Sequence, residues 1–485
     1  MNVKAISRNV GYALLVSALF MFLSMLIAIF DGEDTAVAPL VISFIITFTI
    51  GAFPFIFVHK NSKISLKDGF LIITLSWLMS FIFGMLPYAL WGGPFTLANA
   101  WFESVSGFTT TGATILDDIE ALPRSLLFWR SSTHFIGGLG VVVFLLLILP
   151  KASPLKSRLA SMELSSLSRD GYKSRPNKTI NIFTYVYLSL MVLALIGYLI
   201  AGMKPFDAIC HAFSVCATGG FSTKNLSMAG FNSLGVEIVT EVILLLASIH
   251  FGTLYLSVIN RSVAPLKNPI LRFYLISLAV IGVLLSLSLK IQDPALPLGR
   301  AFRDGLFQTM STASTSGFAI TDNANWGFMP NFLLMLVAIM CGCAGSTSGG
   351  LKVDRVLVLF KTVACSVGKA INPSAINEVR LGKAILKDED VYPHVLYLNL
   401  YFLGLIISVM LTALTGLSGE YAFAGSLATL SNVGPAIGKM GTMGSFNWVP
   451  DTAKFIFTIN MFLGRVEIIP ILAVVGMIFN LDNKR

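Results

Sequence analysis

Four short stretches of this chain combine hydroxyl side chains with glycine in a way suited to holding a dehydrated cation. The first reads Ser106-Gly107-Phe108-Thr109-Thr110-Thr111-Gly112, and the second Ser214-Val215-Cys216-Ala217-Thr218-Gly219-Gly220. The third reads Ser311-Thr312-Ala313-Ser314-Thr315-Ser316-Gly317, and the fourth Ala428-Thr429-Leu430-Ser431-Asn432-Val433-Gly434. Aligned on the last glycine, they recur at separations of 108, 97 and 117 residues. Twelve positions before that glycine stands Ala100, Ala208, Gly305 or Ala422, so the pattern is a repeat that reaches well upstream.

A cation that sheds its water needs a ring of oxygens in exchange. Backbone carbonyls supply one where the chain adopts unusual φ and ψ, which glycine permits. Thr or Ser before the glycine adds hydroxyl oxygen without a full charge. The residues nominated as ligands are Thr110, Thr111 and Gly112; Thr218, Gly219 and Gly220; Thr315, Ser316 and Gly317; and Asn432, Val433 and Gly434. The fourth set departs from the others, with Asn432 and Val433 in place of hydroxyls. One such stretch alone would read as a glycine turn. Four in equivalent places do not.

The elements that must carry these loops are membrane spans. Hydrophobic residues make up 55% of the 485 positions and charged residues only 12%, about half the charged fraction of a soluble protein. Apolar runs long enough to cross a bilayer recur, which also excludes the short alternating strands of an outer-membrane barrel. Ten spans are predicted, near 9–30, 37–58, 69–91, 125–149, 180–202, 235–259, 270–290, 330–366 (interrupted), 392–416 and 452–479. Four apolar segments of about ten residues, 98–108, 206–216, 301–312 and 421–430, are too short to span and lead into the four loops. Each reads as a re-entrant half-helix whose partly negative C-terminal end faces the ion path.

The expected fold class is an all-α polytopic membrane protein, with four span–pore-helix–span repeats around one pseudo-fourfold pore. The division is an N-terminal two-span unit over 1–67, then pore repeats over 68–150, 151–262, 263–390 and 391–485. Basic residues collect on alternate loops: Lys60, Lys63 and Lys67; Lys151 to Lys178; Arg261, Lys267 and Arg272; and Lys352 to Lys387. Acidic Asp31, Glu33, Asp34, Asp117, Asp118 and Glu120 sit on the others. The positive-inside rule then puts both termini in the cytoplasm, and the net charge of +9 needs no nucleic-acid partner to explain it.

Gly345, Ser346, Thr347, Ser348, Gly349 and Gly350 break span eight and cannot form a stable lipid-facing helix, so they are expected to make a flexible constriction. The segment lacks the Gly-Lys-Ser/Thr of a phosphate-binding loop. Arg465 lies deep in the last span, where a charge faces a cavity or a partner. It is expected to border the ion path, with ion pairing to Glu237, Glu241 or Glu467 as the alternative. Arg130 and His134 share one helical face, and interfacial snorkelling or pairing would account for them. Glu103 and His211, at equivalent places, are expected to anchor their short helices, and His250 to pack between helices. No paired acid and base or metal cluster suggests an enzyme, and no cofactor is expected on this chain.

These motifs resemble the Trk/Ktr/HKT superfamily of potassium transporters, most closely its bacterial TrkH/TrkG membrane subunits. The similarity spans nearly the whole chain. It includes Phe128-Trp129-Arg130-Ser131, Gly137-Gly138-Leu139-Gly140, Cys343 to Gly350, and Gly464-Arg465-Val466-Glu467. The resemblance implies potassium as the substrate, a gate at 345–350 and a homodimer in the bacterial inner membrane. It also implies control by a cytosolic TrkA-like ring that binds the nucleotide (ATP/ADP or NAD). Four glycines at the filter position favour potassium over sodium. Sodium- or proton-coupled symport and a less selective cation channel are the alternatives.

Overall fold

The computed structural model describes residues 2–59, 65–140, 176–372, 378–382 and 384–479. Lys60, Lys63, Lys383, the basic run from Lys151 to Arg175 and positions 141–149 of the expected span 125–149 lie outside the described residues. The remainder is overwhelmingly helical. One small hairpin, β1 (Val379–Leu381) with β2 (Ala384–Leu386), interrupts it.

Six described helices are long and apolar enough to cross a membrane: Val3–Asp31, Val37–Phe57, Lys67–Trp91, Asn181–Ile200, Pro269–Gln292 and Asp388–Leu414. They match six of the expected spans. The first two cross where Gly11 meets Gly51, since a Cβ on Gly11 would lie 2.7 Å from the Gly51 carbonyl oxygen. Such small-residue contacts let membrane helices approach closely. Ser65 and Asp68 start the third with a reciprocal capping box.

Two expected spans are not continuous. The segment 235–259 is Leu234–Ser248 followed by Phe251–Ile259, bent by 100°, and 452–479 is Asp451–Val466 followed by a helix from Ile468, bent by 109°. Span eight divides, as its glycines suggest, into Phe328–Met340 and Val353–Ile371. The helix Arg124–Leu139 ends at Gly140 with φ 83°. Every helix that follows one of the four loops therefore stops after 13 to 16 residues.

Four short helices precede the loops: Leu97–Phe108, Pro205–Cys216, Leu298–Ala313 and Gly419–Leu430. Thr96 caps the first and Pro205 opens the second. Three of them have 12 residues and reach about 18 Å, and Leu298–Ala313 with 16 reaches about 24 Å, all short of a bilayer's hydrocarbon core.

Candidate functional site

The four short helices end in the same way. The residue two before each key glycine takes a left-handed backbone: Thr110 at φ 53°, Thr218 at 53°, Thr315 at 62° and Asn432 at 57°. Its N–H bonds back to a helix carbonyl three residues earlier, on Gly107, Val215, Thr312 or Thr429. The next N–H (Thr111, Gly219, Ser316 or Val433) reaches the carbonyl of Ser106, Ser214, Ser311 or Ala428, each time at 2.9 Å. This is the Schellman pattern, but with threonine or asparagine where glycine is usual. A β-branched residue in this region is strained, and such strain persists where the surroundings enforce it, often at functional sites.

The glycines follow at positive φ: 78° at Gly112, 86° at Gly220, 75° at Gly317 and 88° at Gly434. None has room for a Cβ. On Gly112 it would lie 2.1 Å from the Gly219 carbonyl oxygen, and on Gly220, 1.9 Å from that of Ser316. On Gly317 it would lie 2.4 Å from the Val433 oxygen, and on Gly434, 2.3 Å from the Thr111 oxygen. Each glycine thus abuts the carbonyl just before the next loop's glycine, and the fourth contact returns to the first loop. The neighbouring-loop oxygens nearest each glycine are backbone carbonyls. Three of the expected hydroxyl ligands are engaged elsewhere, and of these Thr218 Oγ1 donates to the Ala217 carbonyl at 2.7 Å. Thr111 Oγ1 accepts from Asn432 Nδ2 at 3.0 Å, and Thr315 Oγ1 from the Gly349 N–H at 2.9 Å.

A second set of contacts joins the segments beyond the glycines in the same order. Asn225 donates to Asp118 at 2.9 Å, and the Ala229 N–H to the Ala319 carbonyl at 3.2 Å. The Thr442 N–H donates to Asn323 Oδ1 at 2.8 Å, and the Phe446 N–H to the Thr114 carbonyl at 2.8 Å. A cavity of about 140 Å³ opens over the loops, lined by Gly112, Gly220, Gly317, Pro435, Arg130 and Asp117 among others.

Three short helices are tied to their own loops nine positions before the glycine. Glu103 accepts from the Ile115 N–H at 3.1 Å, His211 Nε2 pairs with Ser222 Oγ at 2.9 Å, and Gln308 Nε2 donates to the Thr321 carbonyl at 3.0 Å. The fourth has Gly425 there, pressed against Phe457. Arg130 and His134 are fully buried, so pairing and not snorkelling accounts for them. Arg130 pairs with Glu103 at 2.8 Å, and His134 Nδ1 meets Ser214 Oγ at 2.9 Å. His250 caps the helix Phe251–Ile259 through Nδ1, which accepts from the Thr253 N–H at 3.2 Å.

The break in span eight is buried from Cys341 to Leu351. It is laced to the other broken helices. The Cys343 N–H donates to the Ser248 carbonyl at 2.9 Å, and the Phe251 N–H to the Gly345 carbonyl at 2.9 Å. Gly349 also packs on Asn432, where a Cβ would come within 2.6 Å of Oδ1. The segment 345–350 therefore lies directly against the third and fourth loops.

Arg465 bonds backbone carbonyls on two other segments. Its Nη1 donates to the Thr347 carbonyl at 2.6 Å, and its Nη2 to those of Gly137 and Gly138 at 2.8 and 3.1 Å. Glu467 pairs with Arg355 at 2.8 Å, and Glu237 with Arg303. The glycine motifs have steric reasons. A Cβ on Gly137 would lie 1.8 Å from the Phe108 carbonyl oxygen, and one on Gly464, 2.2 Å from that of Leu430. Both carbonyls stand four residues before a key glycine.

Comparison with known proteins agrees with this architecture. A family model described as "Cation transport protein" (TrkH) matches residues 38–482. The Trk system potassium uptake protein TrkH of Vibrio parahaemolyticus is 33% identical over 480 residues, covering 97% of this chain and 98% of that protein. The Trk system potassium uptake protein TrkG of Escherichia coli is 33% identical over 479 residues, covering 97% of each. The crystal structure of the potassium transporter TrkH from Vibrio parahaemolyticus superposes with a TM-score of 0.86 at 31% identity, covering 97% of this chain and 98% of that one. With the four loops, the broken helices and a match along nearly its full length, the chain belongs to the TrkH family of cation transport proteins.

Proposed function

We propose that this protein takes up potassium across the bacterial inner membrane through a selectivity filter made by the four loops. The observation that carries the proposal is the cyclic contact between Gly112, Gly220, Gly317 and Gly434 and the neighbouring carbonyls. Carbonyls arrayed around one axis replace the hydration shell of a dehydrated cation. The short helices aim their partly negative C-terminal ends at the same place. The relatives named for potassium uptake support the choice of ion.

In this reading the filter comprises Thr110 to Gly112, Thr218 to Gly220, Thr315 to Gly317 and Asn432 to Gly434, with the −1 carbonyls as principal ligands. Four pore repeats, 68–150, 151–262, 263–390 and 391–485, complete ten spans after the two-span unit 1–67, with both termini cytoplasmic. Residues Gly345 to Gly350 gate the path beneath the filter. Arg465 pins that gate by bonding Thr347 and, across the axis, Gly137 and Gly138. The protein works as a homodimer on a cytosolic TrkA-like ring, which carries the nucleotide. The names of the relatives, which refer to a Trk system, support a multicomponent assembly.

The test is ion flux by purified protein in liposomes, with and without a gradient of sodium or protons. Potassium should move down its own gradient in either condition. Flux that requires the second gradient would make the protein a coupled symporter instead.

A further inference from the structure

Arg130 and His134 stand one turn apart on the helix Arg124–Leu139 and converge on the second loop. The Arg130 guanidinium carbon lies 4.0 Å from the centroid of the Phe221 ring. The His134 ring stacks on the same side chain at 4.1 Å, with an interplanar angle of 15°. Two groups so close to one centroid must occupy opposite faces, so Phe221 is held between them. Arg130 also donates to the Ser222 carbonyl at 3.2 Å, and a Cβ on Gly219 would lie 2.3 Å from His134 Nδ1. Residues Gly219 to Ser222 are therefore fixed from behind by side chains of the preceding repeat.

The arrangement is peculiar to this quadrant. The residue after the key glycine is Ala113 in the first loop and Pro435 in the fourth. In the third it is Phe318, whose nearest histidine partner, His211, lies 6.0 Å away. The carbonyl that the clamp backs is that of Gly219, which abuts Gly112.

We propose that the Arg130–Phe221–His134 stack determines ion specificity by setting the position of the Gly219 carbonyl in the ring. His134 and Phe221 act as positioning residues and touch no ion. The idea rests on the filter reading above. Ion discrimination by a carbonyl ring depends on the number, field and placement of its oxygens. A loop freed to shift in one quadrant relaxes that placement.

The test uses the purified full-length protein in liposomes and reads the ratio of potassium to sodium uptake, with Gly112→Ser in parallel. His134→Ala and Phe221→Leu should each lower the ratio by about three- to tenfold, the factor carried by one lost aromatic contact. Phe221→Tyr, which keeps a ring between Arg130 and His134, should retain the wild-type ratio. Should His134→Ala fail to fold, the contrast between Phe221→Leu and Phe221→Tyr decides. A wild-type ratio in folded His134→Ala and Phe221→Leu, with Gly112→Ser altered, would overturn the clamp and leave the filter standing. A wild-type ratio in all of them would overturn the filter and the clamp with it.

Discussion

Replacing Gly112 by serine places a Cβ 2.1 Å from the carbonyl oxygen of Gly219, a separation that real Cβ atoms essentially never show. To reach even the 3.0 Å limit the two loops must part by about 1 Å, judged from that contact. Serine must also hold φ near 78°, where an L-residue is disfavoured by about 1–2 kcal/mol. The obstacle is backbone, so no side-chain rotation relieves it. The strain falls on a ring oxygen and its neighbour. If even the lower end of that energy appears in the difference between ions, potassium/sodium discrimination drops about fivefold, and the upper end exceeds tenfold. The assay is competitive uptake of potassium and sodium into liposomes containing Gly112→Ser. Gly404→Ala is the control, because that glycine has nothing within 4 Å and its φ is not positive. The control should keep wild-type discrimination. A folded Gly112→Ser protein that discriminates as well as wild type would refute the assignment of these carbonyls to the ion path.

Removing several residues from Gly345–Gly350 should raise basal flux in the same liposomes, because the segment lies against Thr315 and Asn432; a folded deletion that conducts normally would count against a gate there. Arg465→Ala removes charge-assisted hydrogen bonds of about 1.5–3 kcal/mol each to Thr347, Gly137 and Gly138, so resting flux should rise about tenfold or more. Arg465→Lys should recover only part of this, since an ammonium cannot imitate a guanidinium fork that reaches two elements at once. Glu103→Gln leaves Arg130 buried without its counter-charge and should destabilise the protein by about 3–5 kcal/mol, read as a lower thermal midpoint in detergent.

Local chemistry was legible and long-range chemistry was not. The short helices and the aligned glycines can be read because both are written in contiguous residues: an apolar run too short to span, then a Thr/Ser-rich turn. The break at Gly345–Gly350 is visible for the same reason. The bend after Ser248 leaves no such mark, whereas the one after Val466 is flanked by Gly464 and Pro470. Leu244 to Phe251 is nearly all apolar and contains no glycine or proline. What holds it bent is the hydrogen bonding of Ser248 and Phe251 to Cys343 and Gly345, nearly a hundred positions away. Glu467 similarly takes a left-handed backbone at φ 69° beside its partner Arg355. Arg465 was recognisable as a buried charge, but its carbonyl partners lie on the helix Arg124–Leu139 and in the break after Met340. The same holds for Arg130 and His134. Their spacing of four placed them on one face, yet nothing in sequence pointed to Phe221. A cation and a histidine one turn apart within an expected span were the available signal.

The most direct test is the location of a heavy potassium analogue. Crystals of the protein grown in rubidium should show anomalous density on the axis between the carbonyls of Thr111, Gly219, Ser316 and Val433. Density confined to other sites, with the ring well ordered and unoccupied, would contradict the claim that these four loops form one cation filter.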